Sequence, residues 1–383
     1  MLLPNGSIYL DYNATTPVDP RVLKAMEPYY QSHFGNPSSN HNLGKKNKWA
    51  IEAAREQVAT LIGATPGEVI FTSGGSESNN MALKGIAATK GKPGQHIVVS
   101  RIEHPAIMTV VRYLQNQGHR ITYLPVDNQG VVIIDELAEI ITSKTILVSV
   151  MHANNEIGSI QPIAELAEIA HRSGAVFHTD AAQSLGKIPV DVTDLACDLL
   201  SIAGHKLYAP KGVGAIYIRE GIDVEPLIHG ADHEFGLRAG TENVAQIVGL
   251  GMAAQIAHEE MESNRTIIEN LRDRLQTTLK QAYPELRINA GSAHRLPNTL
   301  SISFADLKAL NIMEDLDEVL ISAGAACHSA DGKGSGVLEA MHVPLDYQLG
   351  TLRISLGRFS DEAQVRRASE ILIKKISDLK KNQ

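Results

Sequence analysis

The chain has 383 residues, 43% hydrophobic and 20% charged, which is ordinary for a globular protein and enough for one large core plus a smaller one. A formal net charge of -8 argues against a general nucleic-acid-binding surface, and no apolar run approaches a membrane span. Its two cysteines, Cys197 and Cys327, lie in no CxxC pair, so they build no disulfide framework and no self-contained iron–sulfur or four-cysteine zinc site.

The first residues, MLLPNGSIYLDYN, have neither a basic n-region nor a long apolar h-region, so no secretory signal is expected. With so few cysteines, a reducing, cytoplasmic setting is the expectation. From about residue 69 to 218, short β-branched runs alternate with amphipathic helical stretches. The strand candidates are residues 69–72, 96–100, 120–126, 145–151, 175–180, 198–204 and 214–218. Helical patterns lie between several of them, such as PAIMTVVRYLQNQG and PIAELAEIAHRSG, the second closed by Gly174. This alternation predicts an α/β fold with a mostly parallel sheet covered on both faces. In such folds ligands bind at the carboxyl ends of the strands. Residues 243–283 read as a long helix, charged on one face. LPNTLSISF, VLISAG and LRISLG then alternate with helical pieces, which predicts a smaller α+β C-terminal domain.

Three segments carry chemistry. In FTSGGSESNN (71–80) a strand runs into Gly74 and Gly75, and Ser76 and Glu77 open a helix. Glycines let backbone N–H groups converge, and the helix N-terminus favours an anion such as phosphate. A simple helix cap reads equally well. In HTDAAQSLGK (178–187), Asp180 ends a buried strand with no basic neighbour in sequence. A buried carboxylate needs a partner, and a protonated ring nitrogen of a ligand would serve; a capping role for the next helix stays open. In SIAGHKLYAPKGVGAIYI (201–218), Lys206 follows an apolar strand among Gly204, Pro210, Gly212 and Gly214. A low-polarity site frees its amine for a Schiff base, whereas a generic strand-end lysine is a snorkelling surface residue. Phosphate cradle, pyridinium partner and glycine-framed lysine together are what pyridoxal 5'-phosphate (PLP) requires.

Over nearly its whole length the sequence resembles the cysteine desulfurases, fold-type I PLP-dependent transferases. The segments that carry the resemblance are YLDYNATTPVDP, FGNPSS, FTSGGSES, EHPA, ANNEIG, HTDAAQ, GHK with PKGVGA, RAGTEN, LPNTLSISF and LRISLGR. It implies a large PLP-binding domain at 16–260 and a small domain made of 1–15 and 261–383. It also implies a homodimer, with L-cysteine as substrate and a sulfur-acceptor protein as partner. By this resemblance Lys206 holds the cofactor and shuttles the proton at the substrate Cα. Asp180 pairs with the pyridinium nitrogen and His104 stacks on the ring. Gln183 and Asn155 hydrogen-bond to the ring hydroxyl and the substrate side. Gly75, Ser76 and His205 bind phosphate, joined by Thr241 of a neighbouring subunit. Arg353 clamps the substrate carboxylate, a bidentate task that lysine does poorly. Cys327 takes the sulfur as a persulfide and leaves alanine. It lies in the glycine-rich stretch ISAGAACHSADGKGSGVLEAM, which suits a travelling nucleophile. A buried, inert packing residue is the bland reading of a lone cysteine, and Cys197 in VTDLACDLLSIAG fits it. His328, beside Cys327, either tunes the thiol or faces solvent.

Three departures stand out. Ala203 replaces the usual serine of SGHK, removing one hydroxyl donor to the phosphate at a cost of roughly 0.5–1.5 kcal/mol. GADHE (230–234) stands where GGQE or GGHE is usual. The sequence ends soon after its last amphipathic helix, without the extension that housekeeping desulfurases use toward the iron–sulfur scaffold. The expected acceptor is therefore open among iron–sulfur assembly, tRNA thiolation and DNA phosphorothioation. GAACHS and VGAIYI also resemble selenocysteine lyases, the alternative reading; a persulfide carrier that turns over slowly without its acceptor is a third.

Overall fold

The computed structural model describes residue 3, residues 6–323 and residues 334–381. It opens on a short strand, β1 (Ile8–Tyr9), followed by helices α1 (Pro20–Gln31) and α2 (Asn42–Leu61). The central sheet is built from β2 (Val69–Thr72), β3 (His96–Ser100), β4 (Arg120–Leu124), β5 (Thr145–Ser149), β6 (Val176–Asp180), β7 (Leu199–Ala203) and β8 (Gly214–Ile218). Their order is β2-β8-β7-β6-β5-β3-β4. β3 to β7 pair in parallel, and β8 runs antiparallel to both its neighbours. The strands are those the sequence pattern predicts, several of them one or two residues shorter at an end.

Helices α3 (Gly75–Lys90), α4 (Pro105–Asn116), α5 (Ile134–Ile140) and α6 (Ile163–Arg172) join the strands. Successive strand side chains point to opposite faces, so Phe71 and Val98 enter one core while Ile70, Ile97 and Val99 enter the other. The first core is covered by α1, α2, α6 and the start of α7 (Val244–Ala282); the second by α3 and α4. Both faces being buried explains why the strands read as continuous apolar runs rather than alternating ones.

The 39-residue α7 links two cores. Ile247, Leu250 and Ala254 pack in the sheet's first core, and Leu271, Leu275 and Leu279 in a third. That third core holds β9 (Arg287–Ile288) and β10 (Thr299–Ser303), then α8 (Ala309–Met313) and β11 (Val319–Leu320). Beyond them follow α9 (Gly336–Ala340), α10 (Leu345–Leu349), β12 (Thr351–Ser355) and α11 (Glu362–Lys381). β9, β10 and β12 form an antiparallel sheet in the order β12-β10-β9. β1 pairs in parallel with β11, and Ile8 and Leu10 are buried in this core. The chain start is thus tied to the C-terminal unit before residues 11–16 cross toward the sheet.

Within GADHE the structure accounts for the last residue, the glutamate it shares with the usual motif. Glu234 accepts hydrogen bonds from Arg55 Nη1 at 2.7 Å, Arg55 Nη2 at 2.9 Å and the Phe71 backbone N–H at 2.7 Å. Arg55 also donates to the Val69 carbonyl at 2.7 Å and lies over the Phe71 ring. The pair pins α2 and residues 233–235 to β2, the strand that leads into Gly74. Nothing in the structure explains the change from glycine and glutamine or histidine to Ala231, Asp232 and His233.

Candidate active site

The site lies where the carboxyl ends of β2, β6 and β7 meet residues 11–15 and β12. β2 ends at Thr72, whose hydroxyl pairs with Ser78 Oγ at 2.8 Å, and Gly74 turns the chain at φ 148° into α3. The first turn of a helix leaves N–H groups without intrahelical partners. Gly75 and Ser76 present that turn, while the Glu77 carboxylate is drawn aside by the Ser73 N–H at 2.8 Å and Arg238 Nε at 2.9 Å. Close approach demands glycine at 214, where an added Cβ would lie 2.7 Å from Gly74 Cα and 2.4 Å from the Ile202 carbonyl oxygen. A Cβ at Gly75 would lie 3.1 Å from Ala203 Cβ. The position where serine is usual therefore borders the cradle, and Ala203 gives it a methyl instead of a donor.

Asp180 ends β6 and is 5% exposed. It accepts from Asn79 Nδ2 at 2.7 Å and from the Ala182 N–H at 2.9 Å, and no lysine, arginine or histidine pairs with it among the described residues. Both earlier readings thus have a footing: the Ala182 bond is a local cap, yet the buried charge lacks a cation. Behind it His178 bridges Ser149 at 2.9 Å and Ser201 at 3.0 Å, and burial pulls its imidazole down to about 4. Glu103 is buried beside His104 and accepts from Ser100 Oγ at 2.5 Å and Met151 N at 2.8 Å. Burial raises its carboxyl to about 8, so it is protonated at neutral pH.

Lys206 sits in the tight turn that follows β7. Its Nζ donates to the carbonyls of Asn13 and Ala14, the latter at 2.7 Å. Burial, then the Arg353 charge, pull the amine down to about 8, against Asp11 and Asp180. His205 Nδ1 meets Thr15 Oγ1 at 3.1 Å, and burial first, then the charges of Lys206, Lys211 and His104, bring its imidazole to about 4. His104 is exposed and caps α4, accepting from the Ala106 N–H at 3.1 Å. Gln183 is buried, its Nε2 donating to the Asn13 carbonyl at 3.0 Å. Asn155 offers its carbonyl to Asn13 Nδ2 at 3.2 Å and to Arg353 Nη1 at 3.1 Å. Arg353 reaches in from β12, its Nη2 on Asp11 Oδ1 at 2.8 Å.

The structure therefore brings together Lys206, Asp180, Gln183, Asn155, His104, His205, Gly75, Ser76 and Arg353. Thr241 is exposed, and no hydrogen bond joins it to Gly75, Ser76 or His205 among the described residues. Cys327 and His328 lie outside the described residues.

Sequence reasoning missed the hub of this arrangement. Asn13, 1% exposed, uses both amide hydrogens on Asn155 O and Thr299 Oγ1 (2.8 Å), and its Oδ1 accepts from Asn298 at 2.9 Å and Lys187 at 3.4 Å. Lys187 also donates to Gln183 Oε1 at 2.8 Å. Burial, with the charges of Lys206 and Arg353, holds the Lys187 amine well below its usual range. The signals were in the quoted motifs: Asn13 within YLDYNATTPVDP, and Lys187 four residues after Gln183 in HTDAAQSLGK.

The aminotransferase class-V family model matches residues 8–368. The chain belongs to the class-V aminotransferase family. Among class-V relatives it is 45% identical over 375 residues to the cysteine desulfurase IscS of Dictyoglomus turgidum, covering 97% of this chain and 95% of that one. Among solved structures it is similar to a NifS-like protein, with TM-score 0.91 and 38% identity over 97% of this chain and 99% of that one. It is also similar to SspA in complex with cysteine, with TM-score 0.82 and 36% identity over 92% and 99% of the two chains.

Cysteine desulfurases of the class-V family are PLP enzymes. The residues present fit that group. Asp180 is a buried carboxylate short of a cation, Lys206 is a lysine with a lowered proton affinity, and the open turn at Gly74 has nothing within 4 Å of where a Cβ would stand.

Proposed function

We propose that the chain is a PLP-dependent cysteine desulfurase that converts L-cysteine to L-alanine and holds the sulfur as a persulfide on Cys327 before passing it to an acceptor. The observation that carries this reading is Lys206: a lysine brought to about 8 at the end of β7, in the same buried site as the Asp180 carboxylate and the Arg353 guanidinium. Lys206, Asp180, Gln183, Asn155, His205, Gly75 and Ser76 would hold PLP, which when bound supplies an electron sink for the substrate Cα. His104, exposed at the start of α4, would stack on the ring. Arg353 binds the substrate carboxylate and orients Cα toward Lys206. The Lys206 amine, lowered to about 8 and so able both to give and to take a proton near neutral pH, moves the proton at Cα. The Cys327 thiolate attacks the substrate sulfur; the Cβ–S bond breaks as the S–S bond forms, and a proton delivered to the carbon completes alanine.

Further parts of the reading follow from the resemblance and have partial support. Two domains, 16–260 and 1–15 with 261–383, are supported by the third apolar core, which takes Ile8 and Leu10 with Leu271, Leu300 and Leu372, although Leu296, Val337, Leu338 and Met341 of the second segment pack in the sheet's first core. A homodimer would bring Thr241 of one subunit to the phosphate of the other, for which its exposure leaves room. No helix of the described residues is long and apolar enough to cross a membrane, and a cytoplasmic location is part of the proposal. The curated relative reported above is a cysteine desulfurase by name, and no feature of the site among the described residues favours selenocysteine instead. The acceptor, whether for iron–sulfur assembly, tRNA thiolation or DNA phosphorothioation, is set by partners rather than by this site.

The test is alanine formation from L-cysteine and L-selenocysteine by purified protein with a thiol reductant. Comparable or cysteine-favouring rates are expected, and Cys327→Ala should abolish release from cysteine while the bound cofactor keeps its absorbance. Full cysteine activity in that variant overturns the persulfide step; alanine from selenocysteine alone overturns the substrate.

A further inference from the structure

Arg353 is a buried cation whose five N–H donors are unevenly used. Nη1 donates to Asn155 O at 3.1 Å and Nη2 to Asp11 Oδ1 at 2.8 Å, while the buried Nε–H has no partner among the described residues. An unmet buried donor is costly, so this edge is built to receive something. Nε–H and one of the two Nη2 hydrogens lie on one edge of the planar guanidinium, with the spacing of two carboxylate oxygens.

Asp11 belongs to the same rigid piece as Arg353. Ser355, two residues along β12, donates its N–H to Leu10 O at 2.8 Å and accepts at its carbonyl from the Tyr12 N–H at 3.3 Å. Its hydroxyl accepts from the Asn13 N–H at 2.9 Å, and the Asp11 carbonyl accepts from Ala14 N–H at 3.0 Å. The backbone on both sides of Asp11 is therefore fixed to β12, which holds the carboxylate beside the guanidinium. A residue held that way is a fixture of the clamp rather than a carboxylate awaiting displacement.

We propose that Asp11 is a positioning residue for substrate recognition, holding the Arg353 plane so that its Nε edge stays open to an amino-acid carboxylate. The inference rests on Arg353 as the carboxylate clamp. Asp11 has a second effect on Lys206: its charge opposes that of Arg353 there, as Asp180 does.

The test compares Asp11→Ala and Asp11→Asn in the holoenzyme. It uses steady-state kinetics with L-cysteine and the dissociation constant of L-alanine, read from the absorbance of the bound cofactor. Loss of the ion pair in Asp11→Ala is expected to raise KM and the alanine constant about tenfold, with kcat and cofactor content within about twofold. Asp11→Asn keeps an oxygen acceptor for Nη2 and should restore both constants to within about threefold. A fall in both constants would show that Asp11 competes for the clamp, and unchanged constants that it does not act on it; either overturns the proposal. So does Asp11→Asn behaving like Asp11→Ala, or loss of cofactor together with kcat, which marks a purely structural role. Arg353→Gln separates the premise: unchanged KM in that variant refutes the clamp itself, whatever Asp11 does.

Discussion

Glu234→Ala removes one half of a buried ion pair whose partners are each 3% exposed in their side chains. The loss strips Arg55 of hydrogen bonds at 2.7 and 2.9 Å and leaves the Phe71 N–H without its acceptor. Breaking a buried pair from one side costs about 3–5 kcal/mol, because the remaining charge stays buried and uncompensated. Part of that charge is still answered by Val69 O at 2.7 Å and Glu52 at 3.2 Å, which places the expectation toward the lower end. A chain of 383 residues has an unfolding entropy of about 0.8 kcal/mol/K at its midpoint, so the melting temperature should fall by about 4–5 °C. The double variant Arg55→Met with Glu234→Ala removes the stranded cation, and it should lie closer to the parent than Glu234→Ala does. Thermal melts followed by circular dichroism, with cofactor content measured in parallel, read both effects. A shift below 1 °C for Glu234→Ala, or a double variant less stable than the single by the full cost of Arg55→Met alone, refutes the pair as the anchor of β2.

Lys206 and Cys197 carry the remaining expectations. Burial and Arg353 lower the Lys206 amine from its usual range to about 8, so its reactive neutral form grows as pH rises through 8 instead of through 10.5. The rate at which cofactor-free protein captures PLP should therefore rise with a midpoint near 8, read by absorbance, and a midpoint near 10.5 would contradict the buried site. Between those values the unfolded chain carries a proton on Lys206 that the folded one lacks, so this residue makes stability rise with pH across the same window. Cys197 is 1% exposed, and burial raises its thiol to about 12, so it is neither accessible nor ionised at neutral pH. Iodoacetamide should leave it unlabelled in native protein and label it in denaturant, and Cys197→Ser should keep desulfurase activity; native labelling would contradict the packing.

The sequence by itself determined the elements whose signals are local. Unbroken β-branched runs can be buried on both faces, so they gave the central sheet, and α7 followed from one long periodic stretch. The chemistry at single strand ends was legible for the same reason: Asp180, Lys206 and the Gly74–Gly75 turn each announce themselves by a polar or glycine residue where an apolar strand stops. Only the tertiary structure decided what those residues lean on. Asn13 and Asp11 are unremarkable polar residues in a loop until β1 pairs with β11 and Ser355 grips the backbone around them, contacts across more than three hundred residues. Lys187 reads as a helix-side lysine, and burial beside Gln183 makes it part of the site. Glu234 shows no partner in its own stretch of sequence, and it is Arg55, 179 positions away, that closes on it. Local pattern fixes where a chain turns and what it exposes at the turn. Which distant charge or amide meets it depends on chain crossings that carry no periodic trace in the sequence.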